Sequence, residues 1–266
     1  MIQFDKQKFE KDTVHLLNLL EKPDWPEAAP DFLICNDTEE DKTERAQNIL
    51  DYIKFDITGK KFCDFGCGEG HLAIQASKKA SLSVGYDIAK TGALEWENES
   101  TCFLSNDLDK IISKGPFDYV VLYDVLDHCI NPIDALMNVL KICHAKTEIF
   151  VRCHPWTSRH AGHLYKQLNK AYIHLIFTQE ELQKMGLKTE EYHNKYFYPL
   201  ATHKFWFDSC NMVRTDQEVI KSPVEKFFRR PLITARLPLD QYRGEFPEFQ
   251  MSQIYIDYYL SVEKCF

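Results

Sequence analysis

The sequence predicts an α/β fold: a parallel β-sheet with helices on both faces. Three observations predict it. Between Lys60 and Cys153, strand-like apolar runs alternate with helical periodicities. The run FDYVVLYDV is nearly continuous in apolar character, as suits a strand covered on both faces. Three of the ten glycines, Gly66, Gly68 and Gly70, fall between a predicted strand and a predicted helix. Strand–helix–strand succession of this kind winds into a right-handed parallel sheet.

The elements follow in order. Phe9, Thr13, Leu16, Leu17 and Leu20 recur at helical spacing and predict a first helix. Pro23, Pro26 and Pro30 then forbid a helix and mark a linker. A second helix over about 39–54 has Ala46, Ile49, Leu50 and Ile53 on one face, and Gly59 follows as a turn. KFCDF reads as a strand, HLAIQASKKA as a helix and LSVGYD as a strand. A helical stretch at 90–98 precedes the strand TCFLS, and FDYVVLYDV is the fourth strand. Asn131 as N-cap, Pro132 at the first helical position and Asp134 near the positive end then open a helix. Ile133, Leu136, Met137 and Leu140 form its buried face, and TEIFVRC is the next strand.

After Cys153 the pattern breaks into a polar, aromatic, histidine-rich segment. Thr178 and Glu181 then form a capping box, and Gly186 ends that helix. Residues 187–249 read as irregular and aromatic-rich, and Ile254, Ile256, Tyr258, Leu260 and Val262 alternate as a last strand. The expected organisation is an N-terminal helix and linker (1–37), a binding core (38–190) and an aromatic-rich C-terminal extension that completes the sheet (191–266).

Composition fits a globular chain with a sizeable core: 266 residues, 44% hydrophobic and 27% charged. A net charge of −8 argues against passive phosphate-driven binding to nucleic acid. No apolar run is long enough to span a membrane, and the N-terminus is too charged for a signal peptide, so a cytoplasmic location is expected. The nine cysteines are odd in number and include no CxxC pair, which points to buried thiols in a reducing compartment. Cys63 and Cys67 lack two further ligands nearby in sequence, so no metal is expected there.

The glycine-rich stretch carries the chemistry. A strand–glycine turn–helix lets backbone N–H groups approach a ligand closely. The spacing GxGxG differs from the GxGxxG of nicotinamide and flavin sites, and the phosphate loop GxxxxGK[ST] is absent. Asp64 precedes the first glycine by two residues and suits a cationic group better than a pyrophosphate.

FCDFGCGEGHLAIQAS resembles the first motif of the class I S-adenosylmethionine-dependent methyltransferases, and the likeness runs from about 45 to 190 plus the last strand. The resemblance implies a Rossmann-like doubly wound sheet, mostly parallel with an antiparallel last strand, and S-adenosylmethionine as cofactor. It implies cofactor contacts from Asp64, Gly66, Cys67, Gly68 and Gly70. Asp87, ending the next strand, stands where the family's acid meets both ribose hydroxyls, a task for an acceptor-only carboxylate. Ile88 would lie against the adenine. Asn106, Asp107 and Leu108 would read its amino group, and Tyr123 and Asp124 would lie near the methionine moiety. FDYVVLYDVLDHCINPIDAL is similar to the family's segment with an acid–histidine pair, here Asp127-His128.

Methyl transfer is an in-line displacement that chiefly needs alignment, with a base only where the acceptor must lose a proton. Four of the ten histidines (154, 160, 163 and 174) crowd between 154 and 174. His154 directly follows the fifth strand, where ligands bind in open α/β sheets. His154, His128 and His160 are the candidate bases; Trp156, Arg159, His163 and Tyr165 are the candidate acceptor-binding residues. His174 sits in the apolar run AYIHLIF and reads as a core histidine. The spacing of His154, His160 and His163 matches no standard zinc pattern, so no metal is expected. Tyr196, Phe197, Tyr198, Phe205, Trp206 and Phe207 read as core, and Phe227-Phe228-Arg229-Arg230 as a surface patch.

The expected acceptor is a small molecule: a sugar, a nucleotide or another metabolite. The Asn/Asp-Pro-Pro-aromatic tetrad of amino-methylating nucleic-acid enzymes is replaced by Asp124-Val125-Leu126-Asp127, and no Pro-Cys dipeptide exists. DNA is thereby disfavoured, while a structured RNA stays open. The competing class is a non-catalytic, partner-binding protein that keeps the cofactor fold.

Overall fold

The computed structural model describes residues 3–29, 38–89, 101–189, 200–221, 227, 230–237 and 253–262. Pro30, the helical stretch at 90–98, Tyr196, Phe197, Tyr198, Phe228, Arg229 and residues 238–249 lie outside them. Seven strands form one sheet: β1 (Lys61–Phe65), β2 (Leu82–Tyr86), β3 (Cys102–Ser105), β4 (Phe117–Tyr123), β5 (Cys143–Cys153), β6 (Met212–Lys221) and β7 (Gln253–Val262). Their order is β3-β2-β1-β4-β5-β7-β6. β1 pairs in parallel with β2 and β4, β2 with β3, and β4 with β5. The sheet is mostly parallel, and the antiparallel pairing comes at its last strands. The order reverses between β1 and β4, so the carboxyl ends of these two strands flank the crevice where open α/β sheets take ligands.

The described helices are α1 (Lys11–Leu20), α2 (Glu39–Tyr52), α3 (His71–Ala76), α4 (Leu108–Lys114), α5 (Pro132–Leu140), α6 (Ile173–Ile176), α7 (Gln179–Lys184), α8 (Leu200–Ser209) and α9 (Pro231–Thr234). Their starts follow local chemistry. Asn131 Oδ1 accepts from the Ile133 and Asp134 amides at 3.2 and 3.4 Å, with Pro132 in the first turn of α5. Thr178 and Glu181 make the reciprocal capping box of α7.

Four expectations needed correction. Met137, expected on the buried face of α5, is 47% exposed, and Phe205, expected in the core, is 61% exposed. β5 begins at Cys143 rather than Thr147, because residues 143–146 are half-buried or exposed and form no apolar run. The stretch 187–249, expected to be irregular, contains α8, β6 and α9. β6 lies at the sheet edge with most of its residues exposed, including Arg214, Asp216 and Glu218, so it shows no in–out alternation.

The chain clusters into two compact units. One gathers Met1–Cys35, His154–Pro199 and Val219–Ile256; the other gathers Asn36–Cys153, Leu200–Glu218 and Asp257–Phe266. The core of the first contains Leu16, Leu17, Leu20, Trp25, Tyr172 and Phe227. The Trp25 indole donates to the Ala171 carbonyl at 2.9 Å and meets the Phe227 ring edge-on at 4.9 Å. Asn169 pins the proline-rich segment by donating to the Ala29 carbonyl and accepting from its amide, both at 2.8 Å. The core of the second unit includes Ile53, Phe62, Val121, Phe150 and Tyr259.

A buried ion pair ties β7 to this second core. Arg152 on β5 donates from Nε and Nη2 to the two oxygens of Asp257, each at 2.6 Å. The Tyr52 hydroxyl donates to Asp257 Oδ2 at 2.7 Å. The guanidinium lies 4.9 Å from the Tyr52 ring centre and 4.7 Å from that of Tyr123. Removing one partner of such a pair strands a buried charge, whereas replacing both with apolar groups need not. Asp257→Ala is therefore expected to cost about 3–5 kcal/mol in denaturant unfolding. Arg152→Met combined with Asp257→Leu is expected to recover most of that loss in the same measurement.

Candidate active site

The glycine turn leaves β1 with Gly66, Gly68 and Gly70 all at positive φ, at 88°, 52° and 91°. At Gly66 a Cβ would lie 2.4 Å from Val125 Cγ2, and at Gly70 it would lie 2.6 Å from Leu104 Cδ1. Both the backbone conformation and the space at these two positions therefore demand glycine. The Gly66 and Cys67 amides donate to the Tyr86 carbonyl at 2.7 and 2.9 Å, which fastens the turn to the end of β2. The Gly68 amide donates to Asp87 Oδ2 at 2.8 Å, and Asp87 Oδ1 accepts from the Ala89 amide at 3.2 Å. Each carboxylate oxygen retains lone-pair capacity for a hydroxyl donor. Next to it Ile88 is 83% exposed, an apolar side chain held in the open beside the acid.

Asp64 lies at the end of β1 and is buried. Burial, followed by the charge of Asp87, pushes its carboxyl up to about 8. Its backbone is in register with Gly85 of β2. A buried acid of this kind is relieved by a cation. Burial also raises the Cys67 thiol far above its ordinary value, which keeps it in the thiol form.

The other strand ends are arranged differently. Asp107 Oδ1 caps α4, accepting from the Asp109 and Lys110 amides at 3.1 and 3.5 Å, while Asn106 is exposed and Leu108 is the first residue of the helix. The Tyr123 hydroxyl accepts from Arg152. Asp124 has a left-handed φ of 57°, and its carboxylate lies 3.9 Å from the Arg45 guanidinium. Val125, the residue after it, is the side chain that presses on Gly66. His128 is exposed at the end of a short helical turn, its Nε2 3.7 Å from Asp127 Oδ2.

A second cluster belongs to the unit that holds 154–199 and 219–256. The His154 ring centre lies 4.6 Å from that of His160, 6.3 Å from His163 and 4.5 Å from Tyr255. His160 in turn lies 5.5 Å from Tyr255 and 6.1 Å from Tyr165. All these rings meet edge-on, and His154 and His160 are buried. Tyr255 was not among the sequence candidates; the signal was its place on the face of the last strand opposite Ile254 and Ile256. Trp156 instead packs edge-on against His174 at 4.9 Å, and Arg159 donates to the Glu27 carbonyl. His174 is a core histidine: its Nε2 donates to the Trp156 carbonyl at 2.9 Å, and burial lowers its pKa to about 4.

One group in the second unit has the donor types of a metal site. Ligand atoms of Glu39, Glu69 and His71 lie within 4.8 Å of one another. The Lys42 ammonium already supplies a cation there, 2.6 Å from Glu69 and 3.1 Å from Glu39.

Comparison with known proteins gives a consistent result. A family model described as a methyltransferase domain matches residues 37–189. The chain is similar to the ubiquinone biosynthesis O-methyltransferase of Aliivibrio fischeri, at 26% identity over 155 residues, covering 54% of this chain and 60% of that protein. It is similar to the Vibrio vulnificus protein of the same name at 28% identity over 165 residues, covering 56% of this chain and 64% of the relative. The chain thus spans under two thirds of the length of these curated relatives. A crystal structure from Listeria monocytogenes, assigned to the S-adenosylmethionine-dependent methyltransferases, aligns with a TM-score of 0.51 at 13% identity, covering 82% of this chain and 98% of that one. That likeness is one of fold. With more than half of its length inside the family match, the chain belongs to the methyltransferase-domain family, of the class I S-adenosylmethionine-dependent type.

Proposed function

We propose that the protein transfers a methyl group from S-adenosylmethionine to a hydroxyl of a small-molecule acceptor. The observation that carries this reading is the left-handed glycine turn clamped by the Asp87 carboxylate beside the buried Asp64. The residues present fit the cofactor: a left-handed glycine turn at the end of β1, an acceptor-only group for two ribose hydroxyls and a buried acid for an ammonium. When bound, the cofactor supplies an electrophilic methyl group on a sulfonium. In this reading Asp87 holds the ribose, Ile88 covers the adenine, and the backbone of the turn 66–70 faces the amino-acid part of the cofactor.

The choice of a hydroxyl rests on the O-methyltransferase relatives. A hydroxyl that takes up this methyl group would have to give up its proton to a residue of this chain or to solvent. His154 and His160 are the bases this reading assigns, since His154 follows the carboxyl end of β5 directly and the two rings pack together. His163, Tyr165 and Tyr255 would then line the acceptor side. Turnover of hydroxylated acceptors is the direct test, with a dihydroxybenzoate series as the first probe. Binding of S-adenosylhomocysteine without turnover of any acceptor would favour the non-catalytic, partner-binding alternative.

Asp87→Ala is expected to weaken S-adenosylhomocysteine binding about 100-fold by calorimetry, the equivalent of losing charge-assisted hydrogen bonds, with the circular dichroism spectrum unchanged. The pH dependence has a defined sign. Because the Asp64 carboxyl is held protonated up to about 8, an ammonium partner requires it to lose a proton. Affinity should therefore rise with pH up to about 8 and then level off, with proton release visible in buffers of different ionisation enthalpy. Asp64→Asn should flatten the profile. His154→Ala should lower kcat about 100-fold while leaving cofactor affinity intact, the size of a lost general base.

A further inference from the structure

A cavity of about 410 Å³ opens at the far side of the sheet from the glycine turn. Three strands, β4, β5 and β7, separate β1 from β6, which at the usual strand spacing is about 19 Å. Its floor is made by Phe207 of α8, Met212 of β6 and Tyr258 of β7, all buried. Phe207 and Tyr258 pack edge-on at 4.9 Å, and the Tyr258 hydroxyl is bonded to His203 Nδ1 at 2.8 Å. Burial lowers the His203 pKa to about 3, so this floor is neutral and fixed. Asn211, at a left-handed φ of 52°, turns the chain from α8 into β6 at the wall.

The rim is charged. Lys204 and Asp208 sit one helical turn apart on α8 and neutralise each other. Arg214 does not share in this. Among the described residues its guanidinium forms no ion pair, and its hydrogen bond goes to the neutral side-chain oxygen of Gln217. Arg214 lines the same cavity as Phe207 and Tyr258. An unneutralised guanidinium lining the same cavity as two buried aromatic rings has a defined chemical complement. The guanidinium suits the paired oxygens of a carboxylate or sulfonate, and the floor suits a flat apolar body. The volume lies in the ordinary range for small-molecule sites, about 300–1,000 Å³. On a protein of net charge −8, an anion would be held here by local contacts rather than by the overall field.

We propose that this cavity is a second ligand site, one that takes a small aromatic or similarly flat apolar anion and is separate from the methyl-transfer site. The proposal stands whether or not the methyl-transfer reading does. The test is calorimetric titration of the full chain with 1-naphthoate. Saturable binding with Kd under about 1 mM is expected. Arg214→Glu, a change at an exposed position that spares the fold, should weaken it at least about tenfold, a difference of about 1.4 kcal/mol. The neutral analogue 1-naphthalenemethanol should bind similarly more weakly. Saturating S-adenosylhomocysteine and the Asp87→Ala change should leave naphthoate binding unaltered. The absence of saturable binding, equal affinity in Arg214→Glu, or displacement by S-adenosylhomocysteine would each overturn the proposal.

Discussion

The bond from the Gly68 amide to the Asp87 carboxylate is the constraint on which the rest of the site depends. It joins the exit of β1 to the exit of β2 across a turn that only glycine can make at its tightest points. Tyr86 reinforces the same junction by accepting two amides of the turn on its carbonyl. Val125, beyond β4, and Leu104, in β3, fill the space that missing side chains leave. Four neighbouring strands thus converge on one bend, and the crevice at the reversal of strand order takes its shape from it.

Two buried acids show how differently the same group is treated within one unit. Asp257 accepts from both arms of Arg152 and from the Tyr52 hydroxyl, so its charge is fully compensated. Among the described residues Asp64 receives no such help, and the neighbouring Asp87 carboxylate adds to its burden. A compensated pair is part of the scaffold. An uncompensated acid beside a backbone cradle holds a free-energy cost that a positively charged ligand relieves.

The parts of the fold readable from sequence were those where one residue type is physically required. Gly66 and Gly70 mark the turn because no side chain fits there, and Asn131-Pro132 and Thr178 mark helix starts because orphan amides need an acceptor. β6 escaped notice because an edge strand with both faces largely exposed has no reason to alternate. Asp107 shows a different limit. The residue type that suits a ligand contact also suits a helix cap, and the structure engages it as a cap. The imidazole cluster was half visible, since His154, His160, His163 and Tyr165 lie close in sequence. Tyr255 joins them from a distant strand that periodicity marks only as a strand.

β7 occupies an inner place in the sheet, between β5 and β6, although it is the last of the seven strands in the chain. During synthesis it is therefore the last of them to leave the ribosome. Until it arrives, β5 has one unpaired edge and Arg152 lacks Asp257. A nascent chain at that stage presents an open, apolar-flanked strand edge, the kind of surface that chaperones cover and that misassembles when left bare.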